Sequence, residues 1–226
     1  MNINSKLLFS VTLFLLFLNP EETFAINDTK IFRGGLERTG VYQVKPTEEG
    51  KKYLPPSADI IRSAPIYHNN NIYYGSNDNF LYSVNLTSGK FNWKFETGGA
   101  ILASPALLNG TLYFGSSDRA LYAIDEKTGK ERWYFETTGA ITTSPLVTAG
   151  IVFFGCGDGF VYAINAKTGS LVWKFPTNSP VNSSPSIFED TLYVGNNDGQ
   201  LYAVDIKNGK DVWSFKTNGI IEVILI

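Results

Sequence analysis

Cysteine and histidine are almost missing from this 226-residue chain; Cys156 and His68 are its only examples. A single thiol excludes an intrachain disulfide, so burial of apolar surface must hold the fold together. Cys156 stands where other repeats carry Ser76, Ser116 and Asn196, and reads as a small turn-side residue, not a reactive nucleophile. His68 adjoins Asn69, Asn70 and Asn71 in a hairpin loop; it reads as a solvated turn residue, with no second histidine to join it in a catalytic site. No basic block occurs among 19 Lys and Arg and 21 Asp and Glu, which argues against nucleic acid as the main partner. Helical periodicity is missing too: no stretch after residue 25 repeats its apolar residues every 3.6 positions over eleven or more residues.

Long hydrophobic runs are limited to one, Leu7–Leu18. Its twelve residues fall short of the roughly 20 that span a bilayer. Lys6 precedes it, Asn19-Pro20 breaks it, and Thr23-Phe24-Ala25 offers small residues before a cut. Residues 1–25 therefore read as a secretory signal peptide and not as a membrane anchor, placing the mature protein in the periplasm or outside the cell. No cysteine follows the apolar core, so a lipid anchor is not expected, and no membrane span is expected after cleavage. Losing Lys6, Glu21 and Glu22 leaves 18 basic and 19 acidic residues.

What is abundant is repetition. The four tryptophans, Trp93, Trp133, Trp173 and Trp213, each follow the last by 40 residues. Pro65, Pro105, Pro145 and Pro185 keep the same step. So do Gly75, Gly115, Gly155 and Gly195, and Asp78, Asp118, Asp158 and Asp198. Tyr82, Tyr122, Tyr162 and Tyr202 keep it, as do Gly89, Gly129, Gly169 and Gly209. A period of this length marks one supersecondary unit stacked many times.

Residues 100–139 show what the unit contains. Ile101–Leu108 reads as a first strand carrying Ser104-Pro105, and Asn109-Gly110 is a strong two-residue hairpin turn. Thr111–Gly115, Ala120–Asp125 and Glu131–Thr137 read as three further strands, separated by tight turns. Four short strands leave no room for a helix, so the unit is a four-stranded antiparallel sheet, and such sheets arranged radially form a β-propeller. Proline cannot donate to a strand ladder, so the Ser-Pro strand is expected at an edge, innermost in the blade. The tryptophan is expected to cement adjacent blades. Burying about 200 Å² of indole is worth at most about 5 kcal/mol per ring. A row of exposed rings binding sugars or bases is the functional alternative; identical placement in every repeat favours cement.

The pattern Ala-x-Asp-x-x-x-Gly-Lys-x-x-Trp stands complete at Ala123, Asp125, Gly129, Lys130 and Trp133, and again at Ala203, Asp205, Gly209, Lys210 and Trp213. Ala163, Asn165, Gly169, Ser170 and Trp173 depart at two positions, as do Ser83, Asn85, Gly89, Lys90 and Trp93. This motif resembles the tryptophan-docking motif of the pyrroloquinoline-quinone (PQQ)-like β-propeller repeat family. Phe32-Arg33-Gly34-Gly35 with Arg38-Thr39-Gly40 is similar to the family's opening segment. The resemblance covers residues 32–222. Tryptophan–aspartate repeats share a similar period, but their Gly-His and Trp-Asp dipeptides are absent. The resemblance implies that the small Ala lets a ring stack on its neighbour's turn and that the Asp or Asn braces that turn.

Tyr53 lies 40 residues before Trp93, so residues 26–59 read as an N-terminal segment with a degenerate partial blade. Four full blades follow at about 60–97, 100–137, 140–177 and 180–217, with the start of another at 219–226. Ile224 and Leu225 occupy the slots where Ser-Pro would recur. Since the family closes rings of seven or eight blades, an incomplete or open ring is expected. A truncated or frameshifted product accounts for this; a composite fifth blade joining N-terminal strands to residues 220–226 is the rival. An open arc leaves a blade face and strand edge unpaired, which invites self-association.

Candidate chemistry is thin. The resemblance includes quinoprotein dehydrogenases, which use PQQ and calcium, carry adjacent cysteines forming a disulfide under the cofactor, and need a carboxylate base. One cysteine cannot form that disulfide. Thr142, Thr143, Asn182, Ser183 and Ser184 line the first-strand segments, and Glu222 is the one acid in an equivalent segment. Gly155-Cys156-Gly157-Asp158-Gly159 leads into a strand and not a helix, which removes a dinucleotide or phosphate reading. One aspartate per turn supplies too few oxygens for calcium; an Asx-turn is the expected role. Asn27-Asp-Thr29, Asn85-Leu-Thr87, Asn109-Gly-Thr111 and Asn182-Ser-Ser184 match glycosylation sequons but matter only in a eukaryotic secretory route. The expectation is an exported, non-enzymatic propeller scaffold for protein–protein interaction or envelope assembly, with a protein partner and no cofactor. A fragment of a PQQ- and calcium-dependent alcohol or sugar dehydrogenase is the alternative.

Overall fold

The computed structural model describes residues 59–222. The expected signal peptide, nearly all of the N-terminal partial blade, and residues 223–226 lie outside the described residues.

The described chain is all-β. β1 (Ile66–His68), β2 (Asn71–Gly75), β3 (Phe80–Asn85) and β4 (Phe91–Glu96) form the first sheet. β5 (Ala106–Leu108), β6 (Thr111–Gly115), β7 (Ala120–Asp125) and β8 (Glu131–Glu136) form the second. β9 (Leu146–Thr148), β10 (Ile151–Gly155), β11 (Phe160–Asn165) and β12 (Leu171–Pro176) form the third; β13 (Ser186–Phe188), β14 (Thr191–Gly195), β15 (Gln200–Asp205) and β16 (Asp211–Lys216) form the fourth. Every pairing is antiparallel between consecutive strands. Each sheet carries the same irregularity in its third strand, as at Ala123/Ile124 opposite β8. These are propeller blades. The ring stays open among the described residues: the fourth sheet leaves Phe188 and Phe215 largely exposed and Trp213 43% exposed.

Apolar alternation explains the packing. In the second and third sheets the middle strands bury most of their residues, as in the fully covered Leu112, Phe114, Leu121 and Ile124, because both faces of these blades meet a neighbour. The outer strands β4, β8 and β12 alternate exposed residues with half-buried or buried ones, the pattern of a strand covered on one face only.

The first strand departs from the sequence expectation. It is three residues long, and Pro65, Pro105, Pro145 and Pro185 each stand just before it, outside the ladder. The residues ahead of the proline are committed elsewhere. Ile101 N–H donates to Ser76 O at 3.0 Å, and Ile141, Val181 and Ile221 repeat that bond to Ser116, Cys156 and Asn196. Ala100 O accepts from Ser117 N of its own blade at 2.9 Å. Ala64 N–H donates to Ser104 Oγ, Ser104 N–H to Ser144 Oγ, and Ser144 N–H to Ser184 Oγ, at 2.8–3.0 Å. The Ser-Pro segment is thus a strap between blades. Its amides satisfy neighbouring sheets, so they cannot also extend their own.

One strap is incomplete. Ser63, Thr143 and Ser183 each bridge both backbone groups of a glycine twelve residues on: Gly75, Gly155 and Gly195. The second blade has Ala103 in that slot, fully buried and without a hydroxyl, opposite Gly115. Ala103→Ser is expected to supply the bridge and raise stability by about 0.5–1.5 kcal/mol, read as a higher midpoint in urea with an unchanged slope.

Candidate functional site

The seam between blades is the most constructed feature of the molecule, and its geometry recurs. Trp93 Nε1–H donates to Glu126 O at 3.0 Å, Trp133 to Ala166 O at 3.1 Å, and Trp173 to Ile206 O at 2.9 Å. In each case the acceptor belongs to the third turn of the following blade. The indole lies flat on the glycine three residues further along. A Cβ added to Gly129 would sit 2.6 Å from Trp93 Cδ2, with equivalent clashes of Gly169 against Trp133 and Gly209 against Trp173. Gly89, Gly129, Gly169 and Gly209 all have φ between +65° and +72°, a conformation glycine adopts without steric cost.

The aspartate or asparagine before that glycine shapes the turn. Asp125 Oδ1 accepts from Lys127 N, Thr128 N and Thr128 Oγ1 at 2.8–3.1 Å. Asn165 accepts from Lys167 N and Thr168 N, Asp205 from Lys207 N and Asn208 N, and Asn85 from Ser88 N. Arg132 reaches Asp125 Oδ2 at 2.7 Å, and with the Thr128 bonds it holds that carboxyl down at about 2. Ala123, Ala163 and Ala203 are fully buried directly across the ladder from the tryptophan of their own blade, and Ser83 occupies the same slot opposite Trp93. Above the indole, Phe95 meets Tyr122 edge-on at 5.5 Å, as Phe135 meets Tyr162 and Phe175 meets Tyr202.

Asp118 and Asp158 do more than turn the chain. Asp118 Oδ1 accepts from Ala120 N, while Oδ2 takes Tyr122 Oη at 2.8 Å and Gly98 N of the preceding linker at 2.7 Å. Asp158 binds Phe160 N, Tyr162 Oη and Thr138 in the same way. Burial first, then the bond to the carboxylate, raises the Tyr122 and Tyr162 phenols far above their usual range. In the last blade Asn196 replaces this clasp: its Oδ1 accepts from Asp198 N and Gln200 N, and its Nδ2 donates to Thr177 O. Cys156 is fully buried at the same turn, with Sγ bonded to Gly139 O and Thr137 Oγ1. Burial pushes its thiol up to about 11, so it stays protonated near neutrality and is a poor nucleophile.

His68 is not the solvated turn residue its asparagine-rich neighbourhood suggests. It belongs to β1, its side chain is 12% exposed, and Nδ1 contacts Oε1 of Glu126 across the first seam. Glu126 is itself buried and accepts Tyr73 Oη at 3.0 Å. At the next seam the two slots hold Leu108 and Ala166, packed in one apolar cluster. The pair escaped sequence reasoning because its partners lie 58 residues apart, off the 40-residue step; the signal was Glu126 occupying a slot that is Leu86, Ala166 and Ile206 elsewhere. Glu126→Ala removes the acceptor of both His68 and Tyr73 and is expected to cost about 1–3 kcal/mol. His68→Leu/Glu126→Ala, which copies the second seam, should cost less than the single change, because only the Tyr73 hydroxyl then loses its partner and the imidazole is no longer left without one. Urea unfolding of both variants measures the difference.

Small grooves run beside the seams. One of about 470 Å³ is lined by Leu108, Tyr113, Arg132, Trp133, Ala166 and Lys167. Another of about 230 Å³ lies beside Tyr73, Trp93, Asn92, Glu126 and Lys127. Among the described residues, no three His, Cys, Asp or Glu side chains converge to hold a metal ion, and no helix is long and apolar enough to cross a membrane. Ser104, Ser144 and Ser184 already serve the inter-blade straps, and Cys156 has no second cysteine in the chain. Among the described residues, this donor set does not fit a quinone–calcium centre of the kind the resemblance to the dehydrogenases implies.

A family model described as outer membrane protein assembly factor BamB matches residues 47–148 and 138–221. Among solved structures, BamB from Moraxella catarrhalis superposes with a TM-score of 0.61 at 18% identity, covering 69% of this chain and 49% of that one. The quinohemoprotein alcohol dehydrogenase ADHIIG from Pseudomonas putida HK5 gives 0.62 at 20% identity, covering 70% and 34%. The computationally designed Ika8 protein gives 0.65 at 18%, covering 70% and 50%. These likenesses concern the fold, and the chain spans at most half the length of these relatives. Comparison with curated protein sequences returned no match.

Proposed function

Because this chain belongs to the repeat family described as outer membrane protein assembly factor BamB, we propose that it is an exported, non-enzymatic propeller scaffold that binds other proteins during envelope assembly. The reading rests on how the polar groups are used. The Ser144 and Thr143 hydroxyls, the Asp118 and Asp158 carboxylates and the buried thiol are spent on backbone or neighbouring side chains. What faces outward is strand and turn surface, including Tyr134 and Val172 on the outermost strands, about half exposed. In this reading the docking residues Ala123, Asp125, Gly129 and Trp133, and their equivalents, build the scaffold and do not touch its partners. The family's description supports an envelope role, and residues 1–25 supply the route out of the cytoplasm.

The experiment is to express the full chain with its own leader in a bacterial cell, fractionate, and crosslink in situ from photoreactive residues at positions 134 and 172. A shortened chain outside the cytoplasm, joined to another protein, is expected. An unprocessed cytosolic chain, or purified protein that reduces a dye in a quinone- and calcium-dependent manner, overturns the proposal.

A further inference from the structure

We propose that the groove at the second seam binds the free carboxyl end of a protein chain that finishes in an aliphatic residue. The groove lies between two interior blades, and every residue lining it falls between Leu108 and Lys167. Its volume, about 470 Å³, is in the usual range for a small-ligand site. The lining holds two cations, Arg132 and Lys167, and no carboxylate.

The three seams between the described blades follow one plan, so their differences show what the second has gained. The floor slot is Glu126 at the first seam, Ala166 at the second and Ile206 at the third. Alanine is the smallest of these, and its groove is about 470 Å³ against about 230 Å³ at the first seam. Leu108, Trp133 and Ala166 pack in one apolar cluster beneath it. The slot before the seam tryptophan is Asn92, Arg132 or Val172, so of these three seams the second alone places a guanidinium there. Arg132 is held by Thr111 Oγ1 and Asp125 Oδ2, each at 2.7 Å, and by Gly110 O at 3.3 Å. Those bonds orient it and leave two of its five N–H donors for a ligand. Lys207, the third-seam counterpart of Lys167, is tied to Asp190. The slot of that acid is Gly150 in the third blade, and Lys167 makes no ion pair among the described residues. At the first seam the buried Glu126 carboxyl would repel an anion.

The spacing of charge and apolar surface selects the ligand. Arg132 adjoins Trp133 and Lys167 adjoins Ala166 along the chain, so the ligand must carry its charge and its apolar group on neighbouring atoms. A terminal aliphatic residue does so, because its carboxylate and side chain leave the same carbon. Guanidinium and ammonium groups bind carboxylate through charge-assisted hydrogen bonds. The side-chain amides of Asn109 and Asn165 at the groove offer partners to the preceding peptide unit, which a plain acyl chain lacks. The site rests on the scaffold reading only for the ligand's being a protein. Binding is tested on purified chain, so a cytosolic location would sink that reading and leave this one standing.

Fluorescence anisotropy of the full chain with a labelled peptide, Gly-Ser-Gly-Ser-Val-Leu, tests it. The free acid is expected to bind about 10-fold or more tightly than its C-terminal amide. Replacing Val-Leu by Gly-Gly should cost about 10-fold as well. Arg132→Asn and Lys167→Gln should each weaken the free acid about 5-fold or more, and Ala166→Ile, which copies the third seam, should abolish binding. Lys167 is an exposed turn residue, so Lys167→Gln decides the matter if either other variant alters the circular dichroism spectrum. A dissociation constant weaker than about 1 mM, equal binding of acid and amide, or wild-type affinity in Lys167→Gln overturns the proposal. Displacement by octanoate as effective as by unlabelled peptide assigns the groove to acyl chains and overturns it too.

Discussion

Trp133→Ala is expected to lower the free energy of unfolding by about 3 kcal/mol, the lower end of the range for deleting a large buried ring, because the indole is only partly buried. The loss has three sources. The indole packs flat on Gly169, so its removal leaves a cavity between the second and third blades. The bond from Nε1 to Ala166 O disappears, so that carbonyl keeps Tyr113 Oη, at 3.0 Å, but loses its indole donor. The tilted contact of Trp133 with Tyr113, ring centres 5.8 Å apart, is lost as well. Trp213→Ala is the internal control. Its ring stands in the same place in its own blade, 5.8 Å from Tyr193, but is 43% exposed. Its removal should cost about 1 kcal/mol or less in the isolated chain. Chemical denaturation at low protein concentration compares the two, and equal losses would contradict the view that seam burial, and not the ring itself, carries the energy.

The second large effect is expected from Gly129→Ala, at about 2–4 kcal/mol. The alanine must adopt a φ near +66°, which costs an L-residue about 1 kcal/mol or more. Its Cβ also lands 2.6 Å from Trp93 Cδ2 and 2.9 Å from Cγ, so the ring must leave its seat and forfeit part of its burial. The change is therefore a seam mutation made from the opposite side. If ring displacement dominates, Gly129→Ala and Trp93→Ala together should cost clearly less than the sum of the two alone, as expected for residues in contact. Additive losses would assign the cost to backbone strain.

Much of this architecture was legible beforehand because a repeat repeats its physics. Each 40-residue unit needs the same turn glycine, the same Asx brace and the same large ring, so the residues that serve those needs align by simple spacing. Departures from the step were harder to interpret. The Ser-Pro segment looks like a strand in composition, yet it straps neighbouring blades, because its amides meet the turn of the preceding sheet before they can meet their own ladder. His68 looks like a loop residue by its neighbours, yet it is drawn into the first seam by a glutamate from the next blade. A pairing between two non-repeating positions leaves no periodic trace.

The sequence by itself determined the fold class, the number of described blades and the strand order within each, since all of these follow from local turn chemistry and a constant spacing. Only the tertiary structure decided which hydroxyls and carboxylates are free to act. It showed them occupied by the straps and clasps between sheets, and among the described residues it left Trp213 more exposed than the other three indoles. Those outcomes depend on which backbone groups from separate repeats come within bonding distance, and stacking, not spacing, sets that.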